Sequence, residues 1–252
     1  MNALRALVFP VTALLFCELA MAGVVSDTLA PPSAALMAFA AAVVDGTLIH
    51  ATAQTMSSVL AGLFLGFGTG VVCGLILGLS RLATELTRPA IEVVRPLPSV
   101  ALIPLALLIY GFGYRMEILI IAFAIFWPTI ILTQAGAAQV DPRLLEVSRV
   151  LRFGPLARLT KIILPSAMPR LFVAFRIAAG LALVVAVTVE IAANPQGMGY
   201  ALMAAQQALR PDLMLAMLLW TGILGWSINL LLLQAEKRFF PAQSGLAAAG
   251  TQ

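Results

Sequence analysis

Few side chains in this sequence could support catalysis. The chain of 252 residues contains one histidine, His50, two cysteines, Cys17 and Cys73, and 11 acidic residues. A nucleophilic or metal-dependent active site needs several such groups placed together, and a structural zinc site needs about four ligands. Both cysteines fall within apolar stretches, where a buried thiol behaves as a small hydrophobic group. We therefore expect neither a catalytic site nor a bound metal or cofactor in this chain.

Polar residues inside long apolar runs indicate a different kind of chemistry. Glu190 stands in the run VVAVTVEIAANP, and an ionisable residue in such a run is costly unless it faces protein or water. Residues of this kind often mark the route of a solute, so Glu190 leads a set of candidates for a translocation path. The other candidates are Thr188, Asn194, Thr129, Thr133, Gln134 and Ser99. A hydrogen bond between two helices would also explain each of these residues and stays open as an alternative.

The composition shows what kind of structure must position these residues. Apolar residues make up 62% of the chain and charged residues 10%, and the mean hydropathy is +1.03. Soluble domains are about 45–50% apolar and about 25% charged. One membrane crossing takes about 20 apolar residues, so the chain predicts an all-α integral membrane protein of about six transmembrane helices. We expect a single transmembrane domain over residues 1–252, and the scattered basic residues exclude a nucleic-acid-binding patch.

Six apolar runs define the predicted spans. They are Ala3 to Val25, Thr55 to Leu79, Ile91 to Gly111, Glu117 to Gln134, Ser166 to Ala193 and Leu213 to Leu233. The first run has Arg5 and the triplet Ala20-Met21-Ala22, as a cleaved signal peptide would, but Glu18 interrupts its apolar region and favours a retained helix. Residues Ser26 to Thr55 are more polar and predict an exposed connection or a helix lying at the membrane interface.

Two of these spans have distinctive patterns. The second carries a glycine at every fourth position, from Gly62 to Gly78, and in a bilayer such a stripe lets another helix backbone approach closely. This span is therefore predicted to lie in the interior. The third contains Pro96, Pro98 and Pro104, which remove backbone donors, so its first turns are predicted to be irregular.

The basic residues predict the orientation of the chain. With six spans and both termini in the cytoplasm, every Lys and Arg except Arg115 and Arg210 falls on the cytoplasmic side. This distribution obeys the rule that basic residues gather in cytoplasmic loops. Arg176 lies within the fifth span, where it either pairs with a charge in the path or extends to the interface.

The cytoplasmic loop between the fourth and fifth spans, residues 141–165, has a pattern of its own. Asp141 can cap a helix whose first residue is Pro142, and the leucines and valines that follow give that helix an apolar side. Phe153-Gly154-Pro155 then interrupts it, and a second short helix, Leu156 to Ile163, is predicted to end before Pro165. A solvated basic loop with no partner would also obey the charge rule, but it does not explain this spacing.

Here the sequence resembles the permease subunit of ATP-binding-cassette importers of the nitrate, sulfonate and taurine type. The cytoplasmic loop of that family reads E-A-A, three residues, G, and then about a dozen residues to L-P. Glu146, Leu164 and Pro165 stand at the matching positions, and the blocks TRPAIEVVRPLPSVALIPLALLIYGFG, VDPRLLE and AEKRFF extend the resemblance over the core, about residues 55–240. Val147 and Ser148 replace the two alanines, and Arg152 occupies the glycine position. With no glycine there, Phe153-Gly154-Pro155 becomes the expected turn.

The resemblance implies a type I importer-like permease in the bacterial inner membrane, with a cytoplasmic coupling helix that docks an ATPase. The residues that it implies for coupling are Leu144, Leu145, Glu146, Arg149, Leu151, Arg152 and Phe153. It further implies a homodimer, two ATPase subunits that bind ATP and Mg²⁺, and a periplasmic or lipid-anchored solute-binding protein. The implied solute is a small organic or inorganic anion, with which an acidic residue such as Glu190 fits poorly.

An autonomous secondary transporter is the alternative interpretation. Such transporters are commonly built from two repeated halves, and no internal repeat is visible in this sequence. The sequence also contains no G-x-x-x-x-G-K-[ST] loop for ATP, so an ATP-driven transporter would need a separate ATPase chain.

Overall fold

The computed structural model describes residues 12, 15, 16, 18–20 and 29–239, and all regular elements in this part of the chain are helical. Helices α1 to α5 are Pro32–Val44, Thr47–Leu79, Arg81–Val94, Ile103–Tyr110 and Tyr114–Ala138. Helices α6 to α9 are Pro142–Val150, Pro155–Ala192, Gly197–Gln207 and Pro211–Phe239. A 3-10 helix, Ser99–Leu102, precedes α4, and a π-helical turn, Leu159–Ile163, lies near the start of α7. Helices dominate because a bilayer offers no water to satisfy backbone groups, so each segment satisfies its own.

The long apolar helices confirm the predicted class of fold. Within the described residues, α2, α5, α7 and α9 are long and apolar enough to cross a membrane. The pair Leu82–Val94 and Ser99–Tyr110, which meet at a bend of 79°, is either a broken fifth span or a re-entrant loop. The four long helices correspond to the second, fourth, fifth and sixth predicted spans, and the bent pair to the third. The first predicted span, and the question of its cleavage, lies largely outside the described residues.

The glycine stripe of α2 packs against α5. A Cβ atom on Gly66 would lie 2.5 Å from the carbonyl oxygen of Ala122, and one on Gly70 would lie 2.8 Å from the Cβ of Thr129. Gly62, Gly74 and Gly78 make equally close approaches to the same helix. The prediction of an interior helix with a close partner is therefore confirmed, and the partner is α5.

The prolines of the third span break it. Pro96 and Pro98 lie in the four residues that separate α3 from the 3-10 helix, where neither can donate a backbone hydrogen bond. The chain then continues into α4 and turns at Gly111 and Gly113, whose φ angles are 70° and 117°. The predicted irregularity of this span is confirmed.

Three local predictions need correction. The second short helix of the loop does not end before Pro165: it continues through the π-helical turn and that proline into α7, because a wider turn tolerates a residue with no backbone N–H. The segment Ser26 to Thr55 contains a helix, α1, as one of its two predictions had it, but the second span begins at Thr47 and not at Thr55; the two helices join at Gly46, whose φ of 80° suits glycine. Helix α8, between the last two spans, was not predicted at all.

The core lies where α2, α5 and α7 meet. Its buried side chains include Ile121 and Ile125 of α5 with Ala178, Ala182 and Val189 of α7. Alanines let α7 approach α5 closely, and close packing is the main source of helix association in a bilayer. Helices α1 and α9 pack at the periphery, where the rings of Phe39 and Trp220 lie 5.7 Å apart.

The stripe gives a direct test of this packing. Gly66→Ala should lower the melting temperature in detergent, because the new methyl group meets the backbone of Ala122, and overpacking typically costs about 1–3 kcal/mol. Gly68→Ala is the matched control, since nothing lies within 4 Å of a Cβ built there. It should leave the melting temperature unchanged or raise it, because alanine is the better helix former. Equal melting temperatures for the two variants would contradict the contact between α2 and α5.

Candidate functional site

Helix α6 is anchored on one side and exposed on the other. The Asp141 carboxylate accepts a hydrogen bond of 2.9 Å from the backbone N–H of Arg143, which confirms the predicted cap. Leu145 packs against Ala137, Val140 and Ile163 at the ends of α5 and α7. The other apolar side chains of α6, Leu144, Val147 and Val150, are exposed, and so is Leu151, the residue that follows the helix. We call the end of the bundle that carries α6 the loop end.

The seven predicted coupling residues divide into two groups. Leu144, Glu146, Arg149, Leu151 and Arg152 are exposed and open to a partner. Leu145 and Phe153 are half-buried, and the Lys161 ammonium lies 5.4 Å from the centre of the Phe153 ring. Leu145 holds the loop against the bundle and Phe153 packs on Lys161, while the other five residues face outward.

The turn after α6 is centred on Arg152. Its φ of 51° lies in the left-handed region, where glycine is the usual residue. The Phe153 N–H donates to the Ser148 carbonyl at 2.9 Å and the Arg152 N–H to the Arg149 carbonyl at 3.0 Å, the two bonds of a Schellman motif. Gly154 is extended, with φ −64° and ψ 166°, so the expectation that Phe153-Gly154-Pro155 forms the turn is wrong. Arg152 takes the conformation of the glycine that it replaces.

Glu190 lies at the opposite end of the bundle and is 2% exposed. One carboxylate oxygen accepts a bond of 2.7 Å from the Thr55 hydroxyl of α2, and the other a bond of 2.8 Å from the Gly199 N–H of α8. The Thr55 oxygen in turn accepts the Met198 N–H at 2.9 Å. Glu190 therefore joins three helices through bonds to the protein itself.

The backbone around Glu190 leaves no space for another side chain. Gly197 has a φ of 87°, and a Cβ there would overlap the Glu190 carboxylate. The Gly197 N–H donates to the Gln54 side-chain oxygen at 3.0 Å, which ties α8 to α2 a second time. Glycine is required here both by conformation and by space.

A second buried carboxylate, Glu117, adjoins this network. Its side chain accepts a hydrogen bond of 2.6 Å from the Asn194 amide, and both residues are buried. Glu117 and Glu190 interact electrostatically, and Ser58 is buried beside Glu117. Sequence reasoning used Glu117 only to mark the start of a span. An acidic residue at the edge of an apolar run was the signal that could have identified it.

The structure separates the predicted path residues into several places. Glu190 and Asn194 share the buried network, whereas Thr129 and Thr133 are fully buried opposite Gly70 and Gly74. Thr188 lies in a groove between α7 and α9, its hydroxyl bonded to the Val184 carbonyl. The remaining two residues, Ser99 and Gln134, line cavities beside the broken span.

Two further charged features are an ion pair of Arg176 and a groove at the end of the bundle opposite the loop. Arg176 forms an ion pair of 2.7 Å with Glu236 of α9. At the end opposite the loop, Asp45 and the exposed His50 line a polar groove of about 500 Å³ beside α8. Hydrogen bonds from the Thr47 hydroxyl and N–H lower the pKa of the Asp45 carboxyl. This groove therefore carries a negative charge.

The fold combines a bent helix pair with an exposed helix between two crossings. It is similar to the methionine transporter MetNI in inward-facing conformations, with a TM-score of 0.64 and 20% identity over 73% of this chain and 92% of that one. An amino acid ABC transporter crystallised with histidines gives a TM-score of 0.57 and 18% identity, covering 79% of this chain and 98% of that chain. At these identities the likeness establishes the fold.

Residues 66–244 match the family of binding-protein-dependent transport system inner membrane components, and the chain belongs to this family. It is 31% identical to a putative aliphatic sulfonates transport permease of Bacillus subtilis, covering 81% of this chain and 74% of that protein. It is 29% identical to the taurine transport permease of Escherichia coli, covering 78% and 72%. The nitrate import permease of Synechococcus elongatus is 30% identical, covering 69% and 64%. The resemblance inferred from the sequence is thereby confirmed.

The network at Glu190 predicts a large effect for a small change. Thr55→Val keeps the side-chain shape but leaves one carboxylate oxygen and the Met198 N–H without a partner, at a cost on the order of 1–3 kcal/mol. Its melting temperature in detergent should fall clearly below that of the wild type. Thr69→Val is the control, because the exposed Thr69 hydroxyl bonds only to carbonyls of its own helix. Equal melting temperatures for the two variants would show that the network does not hold α2, α7 and α8 together.

The strained turn at Arg152 predicts that glycine at this position stabilises the turn. A left-handed conformation costs a residue other than glycine about 1–2 kcal/mol, so Arg152→Gly should stabilise the motif by about 1 kcal/mol. Hydrogen exchange of the Phe153 amide should then slow roughly fivefold. Arg152→Ala removes the guanidinium but keeps the strain, so it should give no such protection. Equal protection in both variants would show that the side chain, and not the backbone, limits the turn.

Proposed function

We propose that this chain forms the translocation path of an ATP-driven importer for small anions and couples it to ATPase subunits through α6. The observation that carries the proposal is α6 itself: it is a capped helix at the loop end with apolar and charged side chains facing outward. A chain of the inner-membrane transport family gains nothing from such a surface unless a partner covers it.

The chemistry of the α6 surface suits a groove on a protein partner. Leu144, Leu151 and Val150 supply apolar contacts, and Glu146 and Arg149 supply charges of both signs. Helix-in-groove recognition uses this combination, with apolar anchors for affinity and charges for specificity. Leu145, held in the bundle, transmits any displacement of α6 to the ends of α5 and α7.

The partners at this surface are two ATPase subunits, one for each permease copy. ATP and Mg²⁺ bind to those subunits, since this sequence has no phosphate-binding loop of the G-x-x-x-x-G-K-[ST] type. Their closure on ATP would push both α6 helices and switch the permease between inward-open and outward-open states. The chain itself then carries out no catalysis.

A second copy of this chain is the proposed occupant of the groove between α7 and α9. Gly180 and Gly222 line this groove, and a Cβ at either would meet nothing within 4 Å. The glycines of the α2 stripe all contact α5, whereas Gly180 and Gly222 leave this groove open to a partner helix. The groove favours a homodimer.

The solute and its delivery follow from the relatives. Sulfonates, taurine and nitrate, named for three of them, share a compact oxyanion group. A periplasmic or lipid-anchored binding protein would deliver the solute at the end opposite the loop, where the polar groove beside α8 is exposed. The distribution of basic residues orients that end outward, with both termini in the cytoplasm.

The docking role predicts the effect of a charge reversal. Glu146→Arg should leave membrane insertion intact and reduce the ATPase recovered in a pull-down about tenfold, since a loss of about 1.4 kcal/mol in binding is enough for that. Asp212→Arg, the same reversal at the opposite end, is the control and should recover ATPase like the wild type. An unchanged recovery with Glu146→Arg would argue strongly against docking through α6.

The two candidate functions differ in the source of energy for uptake. In proteoliposomes that contain only this chain, an autonomous transporter would accumulate solute under an ion gradient. The importer subunit should transport only after the ATPase and ATP are added. Accumulation without them would overturn the proposal.

A further inference from the structure

The break in the third span borders a cavity of about 430 Å³. It is a half-open cavity lined by the broken segment, by the middle of α5 and by α7, and the Arg95 side chain at it is exposed. Arg95 and Ser99 are the hydrogen-bonding side chains that the broken segment contributes, and Leu97, Ile177 and Leu181 form part of the apolar wall. A volume in this range, mostly apolar with a few polar groups, is typical of small-molecule sites.

A second cavity of about 360 Å³ lies on the loop-end side of the first. Thr84, Arg88 and Gln134 line it, and Arg95 and Ile131 belong to both cavities. Gln134 is near the end of α5 that leads into the loop, whereas the first cavity reaches the middle of that helix. Arg95 therefore stands between the middle of the bundle and the loop end.

Arg95 is placed there by the prolines. The chain leaves α3 at Arg95, and Pro96 and Pro98 prevent it from resuming a helix before Ser99. Among the described residues, no carboxylate lies within 4 Å of Arg95 and its side chain has no hydrogen-bond partner. Its neighbour Arg88, by contrast, is paired with Glu92 at 3.2 Å.

The acidic residues that seemed to conflict with an anionic solute lie elsewhere. Glu190 and Glu117 are buried in the network with Thr55 and Asn194, and neither lines either cavity. Glu92 lines the second cavity and is paired there with Arg88. The first cavity therefore contains one ionisable side chain, and it is a cation.

We propose that Arg95 and Ser99 form an anion-binding site in this cavity, which takes the oxyanion group of the solute on its way to the cytoplasm. The guanidinium offers paired donors that match two oxygens of a sulfonate or nitrate group, and the Ser99 hydroxyl offers a third. The apolar wall accommodates the carbon chain of an aliphatic sulfonate. This inference rests on the proposed function, because it assigns a solute site within the same path.

The test uses the complete complex, with its ATPase and binding protein, in proteoliposomes. Ethanesulfonate, taurine and nitrate are the probes, and the apparent KM and maximal rate of uptake are measured for each. Arg95→Gln should raise the KM at least tenfold for a transported probe, and Arg95→Lys, which keeps the charge but loses the paired donors, should raise it less. Arg115→Gln, the loss of an exposed arginine at the opposite end, should behave as the wild type.

Binding to the purified chain supplies a second measurement that does not depend on transport. Trp127 borders the cavity, so ethanesulfonate or nitrate should quench tryptophan fluorescence saturably in the wild type. This quenching should weaken in Arg95→Gln and persist in Arg115→Gln. If Arg95→Gln fails to elute as folded protein in gel filtration, Arg95→Lys takes its place in both measurements.

The outcomes separate the two proposals. Equal KM and equal quenching in Arg95→Gln and Arg115→Gln, or no saturable anion binding in the wild type, would overturn the anion site and leave the importer role standing. Uptake that proceeds without the ATPase would overturn the importer role. The comparison of KM between Arg95→Gln and Arg115→Gln would still test the anion site in that case.

Discussion

The close contact between α2 and α5 is the constraint on which the rest of the bundle depends. In a bilayer, helices gain little by covering each other's apolar surface, so they associate where their backbones can approach. The stripe from Gly62 to Gly78 provides that approach along more than four turns of α2. One side of α5 therefore packs against α2, and its other sides pack against α7 and the broken span. The cavity beside Arg95 lies on one of these remaining sides.

A second constraint acts at the end opposite the loop, where polar groups are buried. A carboxylate away from water is stable only when other groups satisfy it, and Glu190 is satisfied by Thr55 and by the backbone of Gly199. The same bonds hold α8 against α2 and α7. They also keep the Glu190 carboxylate away from both cavities, which leaves Arg95 as the charge that a solute in the first cavity would meet. In this structure an acidic residue in a span connects helices, and a basic residue at a helix break lines a cavity.

At the loop end, the structure combines a fixed side and a free side in one short helix. Leu145 holds α6 to the bundle, whereas Leu144, Glu146 and Arg149 face outward. The left-handed residue that ends α6 is an arginine, so the turn survives the loss of the family's glycine at some cost in backbone strain. Helix α7 runs from this loop into the core without a break. A displacement of α6 would therefore be passed, through Leu145 and Ile163, to the helix that carries Arg176 and Glu190.

From local chemistry, the sequence determined the class of fold, four of the spans, the break at Pro96 and Pro98, the capped helix after Asp141 and the family. Each of these follows from composition, periodicity or short-range sterics. It could not determine which residues share a site, because Glu117 and Asn194 are 77 positions apart in the chain and meet only when α5 and α7 pack. For the same reason Thr129 and Thr133, which were candidates for a path, lie under the glycine stripe, and Arg95, which was not, borders a cavity. The tertiary structure alone decided these positions, since the face that a residue presents depends on the helices around it.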